Sequence, residues 1–451
     1  MDFSGALIFA AAAIESIAQN RLTHVLLGVA ALLIIASFLL GEDGAGLRHS
    51  LARVFAFGLI GGLGAITILS VKGAPPTVAK APPVDVAEQR IDRWIDRIQR
   101  SNDAAPSQPA QGRLDDSRRP RDLAAERREH LRVRAEVARI PEAARTPEQR
   151  RREADAIQGL AGIDRDEGRI QEAIERYRSA QALYARLSDV SSKSAAVGAS
   201  LDLAEALDVR NDEGAARATY RSAIADQRGL VELPERERRE GIAVALVRYA
   251  KFETGRRQEQ PARAALDEAD DHFVFLRAQR GKLQVLRARA ELGLALGDVA
   301  AARHTLVAMR VLTADPALAA SASEADMVEA RIELAEGNAR SAYTLFVRAA
   351  TGYRRAGEGA TPRRALAVAL LGQAEAAFAA HRERAGRESA AAAIQLWRAL
   401  GERAKAINAM VQLALWEAAA GDAAAARDML TLAHIAQRET GEARPIPDTA
   451  A

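Results

Sequence analysis

Hydrophobic positions along the 451-residue chain fall into two regimes. Up to residue 72 they form nearly unbroken runs, and beyond residue 122 they recur at helical spacing between charged residues. In the first regime, Leu22 to Leu40 is interrupted only by Thr23, His24 and Ser37. As a helix it would be about 28 Å long, close to the hydrocarbon thickness of a bilayer. A second run, Val54 to Val71, has similar length. Between them lie Gly41, Gly44 and Gly46 for a turn, with Arg48 and Arg53 placed to meet lipid phosphates. The pattern predicts a two-span transmembrane hairpin over residues 21–72. Gly58 and Gly62 share one face of its second span, where close helix packing or self-association is expected. Residues 1–20 read as an interfacial or short membrane-embedded helix, because Asp2 is their only early charge and a secretory signal begins with a basic segment.

Residues 73–122 read as a linker. Pro75, Pro76, Pro82 and Pro83 favour an extended spacer. Ile91, Trp94, Ile95 and Ile98 then recur at helical spacing, a brief amphipathic helix able to rest on a bilayer or on the first helical units beyond the linker. Residues 101–122 are polar and interrupted by proline.

In the second regime one phrase recurs: a small residue, a large one four positions on, and a small one three further. It reads Ala173/Tyr177/Ala180, then Ala216/Tyr220/Ala223, Ala262/Leu266/Ala269, Ala302/Leu306/Met309 and Ala342/Phe346/Ala349. A weaker copy is Ala385/Ser389/Ala392, and the last is Ala426/Leu430/Ala433. The small ends let helices touch backbone to backbone while the large centre fills the gap to the next unit. Just upstream, Gly168, Gly214, Gly297, Gly337 and Gly421 stand where a preceding helix would end in a left-handed turn. The phrase resembles the second helix of the tetratricopeptide repeat. That resemblance implies an all-α chain in which residues 123–441 form an α-solenoid of about seven helical hairpins, with 442–451 as a disordered tail.

Composition fits such an array: 49% of residues are hydrophobic but only 4% aromatic, so Ala and Leu supply the apolar surface. With 63 basic against 60 acidic residues there is no general excess for nucleic acid, and none is expected as a partner. Absence of Cys removes thiolate and disulfide chemistry. No phosphate-loop, HExxH or GxSxG pattern occurs, and the seven histidines are scattered, so neither catalysis nor a metal or cofactor is expected. In a solenoid of this kind the first helix of each hairpin lines the concave face. Counting back from the repeated small residue gives Glu205, Asp208, Lys251, Gln284, Arg287, Glu291, Arg331 and Asn408 as candidates for holding a protein or peptide there.

A second resemblance concerns residues 14–72. The leading helix, the span, the loop Gly41-Glu42-Asp43-Gly44-Ala45-Gly46-Leu47-Arg48 and the stretch Phe55-Ala56-Phe57-Gly58-Leu59-Ile60 look like the TrbC/VirB-type pilins of conjugation and type IV secretion. That resemblance implies lipid contact through Arg48 and Arg53, an inner-membrane location of bacterial type, and an array on the periplasmic or extracellular side, with the cytoplasmic side left open. Two functional readings result. One is a membrane-anchored interaction scaffold serving such an envelope assembly; the other is a pilin-like subunit whose hairpins polymerise and display the array.

Overall fold

The computed structural model of the protein describes residues 90–95, 123–357 and 359–440. All of them lie in one compact unit, Pro82–Pro447. Regular structure among the described residues is helical throughout. A lone helix α1 (Leu123–Ala138) leads into seven antiparallel pairs. These are α2 (Pro147–Asp166) with α3 (Ile170–Tyr184), α4 (Val190–Val209) with α5 (Glu213–Gly229), α6 (Glu235–Gly255) with α7 (Glu259–Leu276), and α8 (Gln279–Leu296) with α9 (Val299–Thr313). Next come α10 (Ala322–Ala335) with α11 (Ala339–Arg355), α12 (Ala360–Ala379) with α13 (Glu383–Ala399), and α14 (Arg403–Ala419) with α15 (Ala423–Thr440). Each pair packs on the next, giving an α-solenoid of tetratricopeptide-like hairpins.

The recurring small residues sit where helices cross. Ala173, Ala216, Ala262, Ala302 and Ala342 are fully buried, and the large residues that follow them, from Tyr177 to Phe346, fill the space between hairpins. In the sixth pair the register differs by one residue from the expected Ala385/Ser389/Ala392. Gly386, Ala390 and Ala393 take the equivalent positions, with Ser389 buried beside them and Ala385 and Ala392 only partly covered. A Cβ on Gly386 would stand 2.5 Å from the Phe378 ring, so glycine serves there as the smallest member of the series.

All seven hairpin turns share one backbone solution. A residue one or two positions past the first helix adopts positive φ: Gly168, Asn211, Arg257, Gly297, Gly337, His381 and Gly421. The next amide then reaches back five residues, as in Arg169 N–H to Asp164 C=O at 2.7 Å and Asp298 N–H to Gly293 C=O at 2.8 Å. This is the Schellman closure, which satisfies carbonyls that a helix end leaves without partners. Gly214, expected at such a turn, instead lies in the first turn of α5, and Asn211 carries the left-handed angle. Aspartates start several second helices: Asp212, Asp298 and Asp422 accept the amides of Ala215, Ala301 and Ala425.

Hairpins are stitched by a recurring ion pair. The acid near the end of a first helix meets an arginine from the preceding unit: Arg127 with Asp164 at 2.9 Å, Arg217 with Glu253 at 2.6 Å, Arg303 with Glu333 at 2.8 Å and Arg387 with Glu417 at 2.6 Å. Asp164, Glu253 and Glu417 are buried. These acids belong to the first, third, fifth and seventh pairs, and the same position in the second, fourth and sixth holds Leu207, Gly293 and Ala377. The array therefore repeats with a period of two hairpins.

The ends of the solenoid also meet. Leu123, the first residue of α1, lies against Gly401 before α14, where an added Cβ would stand 2.1 Å from it. Arg364 of α12 comes within 3.9 Å of Asp166 of α2. Residues 90–95 form a helical turn whose Ile91 and Ile95 are buried in the core of the last hairpins. Arg398 donates to Asp92 at 2.7 Å. This segment thus rests on the last hairpins of the array.

Among the described residues no helix is long and apolar enough to cross a membrane, and the expected inner-membrane location is corrected accordingly. Each of the helices α1 to α15 is interrupted by polar or charged residues along its length. The stretches on which that expectation rested lie outside the described residues: 1–20, and 21–72 with Arg48, Arg53, Gly58 and Gly62. Lipid contact and self-association through that hairpin are likewise without support among the described residues. The 442–451 tail also falls outside them.

Two outcomes test this packing. Burial pushes the Glu253 carboxyl up, but its bonds with Arg217 and Tyr249 outweigh burial and hold it below the usual glutamate range. Its contribution to stability is therefore complete above the unfolded pKa of about 4.3 and is lost as pH falls through the lower native value. Glu253→Gln should cost about 3 kcal/mol at neutral pH in urea unfolding, and it should flatten the acid dependence of stability below about pH 4. An unchanged acid limb would remove the clamp from the account. Second, Gly297→Ala should cost about 1 kcal/mol for its left-handed backbone alone, since nothing crowds Gly297. Gly401→Ala should cost about 1 kcal/mol more from crowding, and that excess should vanish in a Leu123→Ala background if the two ends touch in solution.

Candidate partner-binding groove

Successive first helices α2, α4, α6, α8, α10, α12 and α14 contact one another, which places them on the concave side of the stack. Because all seven turns have the same geometry, side chains can be matched by counting back from the start of each second helix. Eight residues ahead, as Glu205 stands to Glu213 and Lys251 to Glu259, lie Gly162, Glu205, Lys251, Glu291, Arg331, Glu375 and Leu415. The five central members alternate in sign from one helix to the next. Two turns earlier on the same face are Val244, Gln284, Glu324, Val368 and Asn408.

Much of this wall is held by ion pairs across neighbouring first helices. Glu205 accepts from Arg165 at 3.3 Å and from Arg248 at 2.8 Å. Arg248 also reaches Asp202 at 2.8 Å, and Arg256 binds Asp208. Arg287 pairs with Glu324 at 3.3 Å and approaches Glu291 at 3.8 Å, while Arg331 donates to Glu291 at 3.4 Å. At the sixth and seventh hairpins the buried Glu402 binds Arg364 and lies 2.5 Å from Lys405.

Two members of the alternating column stand apart. Lys251 and Glu375 are exposed to the groove, and neither makes an ion pair or hydrogen bond among the described residues. Burial within the concave wall, reinforced by Arg287, lowers the Lys251 ammonium pKa. Burial raises the Glu375 carboxyl, against a smaller opposing pull from Arg331. Both groups touch water yet are enclosed on the scale of the whole wall. Tyr177, Tyr220 and Tyr353 are also pushed up, chiefly by burial, with groove charges among the lesser causes.

The structure brings six of the eight sequence-derived candidates into this charged wall: Glu205, Asp208, Lys251, Arg287, Glu291 and Arg331. Gln284 and Asn408 are exposed at the earlier position on the same face. Sequence reasoning passed over Glu375. With the repeated small residue of that unit read as Ala385, counting back lands on Ala374, one residue short. It also passed over Arg165, Asp202, Arg248 and Glu324, which sit at neighbouring turns and brace the column.

Comparisons with known proteins find only distant solved structures. Among solved structures, a Rap protein complexed with competence and sporulation factor shares 13% identity, covering 79% of this chain and 99% of that chain with a TM-score of 0.47. Aspartyl phosphate phosphatase F from Bacillus subtilis shares 9% over 83% and 99%, with a TM-score of 0.45. The TPR2AB domain of yeast Sti1, solved with pHSP90, shares 13% over 63% and 98%, with a TM-score of 0.22. No family model and no curated protein matches the chain.

Charges left unpaired in a partly dehydrated wall work against folding. Lys251→Met and Glu375→Gln should therefore leave the thermal unfolding midpoint unchanged or raised at pH 7. A clear drop in either midpoint by circular dichroism would show that the side chain is structural.

Proposed function

We propose that the protein is an interaction scaffold that holds a polypeptide partner along its concave wall and acts by binding, not by catalysis. The observation that carries this reading is the wall itself: seven first helices presenting one helical position, its five central members in ordered alternation of charge, with Lys251 and Glu375 left unpaired among them. Side chains that serve only solubility have no reason to be kept in register or to face a shared concavity. Val244 and Val368 add exposed apolar contact on the same face, the mixture of apolar anchors and polar groups that polypeptide recognition uses. Pairs of fixed charges on either side would set the register of a partner more than its raw affinity.

Site-specific photocrosslinking in cells tests the reading. A photoreactive residue at Gln284 or Asn408, inside the groove, should give discrete crosslinks to other polypeptides. The same residue at Val307 or Val311, exposed on the second helix α9, should give few. Equal yields from both faces would overturn the assignment of the concave wall.

A further inference from the structure

The alternating column says something about the occupant, given the groove reading above. Its middle is satisfied internally, since Glu291 and Arg331 bond to one another at 3.4 Å. Glu205, at one end, is held by Arg165 and Arg248. What remains is a cation on α6, Lys251, and an anion on α12, Glu375, flanking a neutralised centre. We propose that the groove binds an extended peptide segment carrying an acidic and a basic side chain about eight residues apart, the acid meeting Lys251 and the base meeting Glu375.

The spacing comes from the architecture. Lys251 and Glu375 are separated by three helix-to-helix intervals, α6 to α8, α8 to α10 and α10 to α12. At about 9 Å per interval that is about 27 Å, and an extended chain advances about 3.3 Å per residue. A helical occupant would need its charges about 18 residues apart to span the same wall. Complementary charge is what these two exposed groups lack: a carboxylate at Lys251 and a cation at Glu375 would each gain an ion-pair partner, in the direction that relieves the lowered lysine and raised glutamate values. A partner of a single sign would be drawn to one end of the column and repelled at the other. The neutralised Glu291–Arg331 centre sets no further charge requirement, so the intervening residues can be small or apolar.

The test is selection of random 24-residue displayed peptides on the full-length protein and on its Lys251→Glu/Glu375→Lys variant, whose fold is checked by circular dichroism. On the unmodified chain, enriched sequences should carry an acid and a base about eight residues apart, and on the variant the order of the two charges should invert. For one selected peptide, Lys251→Met and Glu375→Gln should each weaken binding about three- to tenfold, an effect that shrinks at high salt. These single variants keep the test in force if the double variant fails to fold. Enrichment with no charge pattern, or the same pattern on both proteins, would overturn the proposal while leaving the groove reading standing. A pattern at about 18 residues would overturn the extended form. If no peptide is enriched on either protein, the groove reading fails and takes the proposal with it.

Discussion

A carboxylate withdrawn from water has to be met by a cation, and at alternate hairpins of this array one such cation comes from the unit before. Arg127, Arg217, Arg303 and Arg387 reach forward to Asp164, Glu253, Glu333 and Glu417. The acid lies at the end of a first helix, where the Schellman turn already fixes the backbone. Side-chain clamp and backbone closure therefore set the angle at which a second helix departs and, with it, the direction in which the next hairpin stacks. Buried pairs of this kind add little net stability over a well-packed apolar contact, but losing one partner is severe. Their value here is geometric: a slipped register leaves a carboxylate without its arginine.

The clamp alternates along the array, and so does the inner wall, out of phase in charge. At the third and fifth pairs, whose clamp acids are Glu253 and Glu333, the residue two positions earlier is basic, Lys251 and Arg331; before the terminal clamp acids Asp164 and Glu417 it is uncharged, Gly162 and Leu415. Where the clamp acid is replaced by Leu207, Gly293 or Ala377, the inner residue is acidic, Glu205, Glu291 or Glu375. From the second to the sixth hairpin the repeating unit is thus a pair of hairpins, in which the sign of the groove residue goes with the presence or absence of the clamp acid.

The helical hairpins were legible because helix crossing imposes a steric rule that composition cannot hide: Ala173, Ala216 or Ala262 can be nothing larger. Two details escaped for equally physical reasons. A left-handed turn residue is easiest to see when it is glycine, and three of the seven turns use Asn211, Arg257 and His381. In the sixth unit a glycine replaced the expected alanine one position later, so the frame moved, and Glu375 went unseen with it. Ion-pair partners such as Arg248 and Asp202 need the interval between first helices to be known before they can be matched. The unbroken apolar runs near the N-terminus were just as easy to notice, yet they lie outside the described residues and say nothing about the groove.

The meeting of Leu123 with Gly401 alters how such a stack would come apart. An open row of repeats frays from its two ends, because a terminal unit is held by one neighbour and can leave by breaking one interface. A row whose first helix touches its last hairpin has no such terminal unit. Two contacts must break before anything detaches, so partial unfolding is suppressed in favour of loss of the whole. In the proposed scaffold role, a long polypeptide would enter the groove by threading or by parting the contacts at Leu123–Gly401 and Arg364–Asp166, and those contacts, not the wall, would govern the rate of exchange.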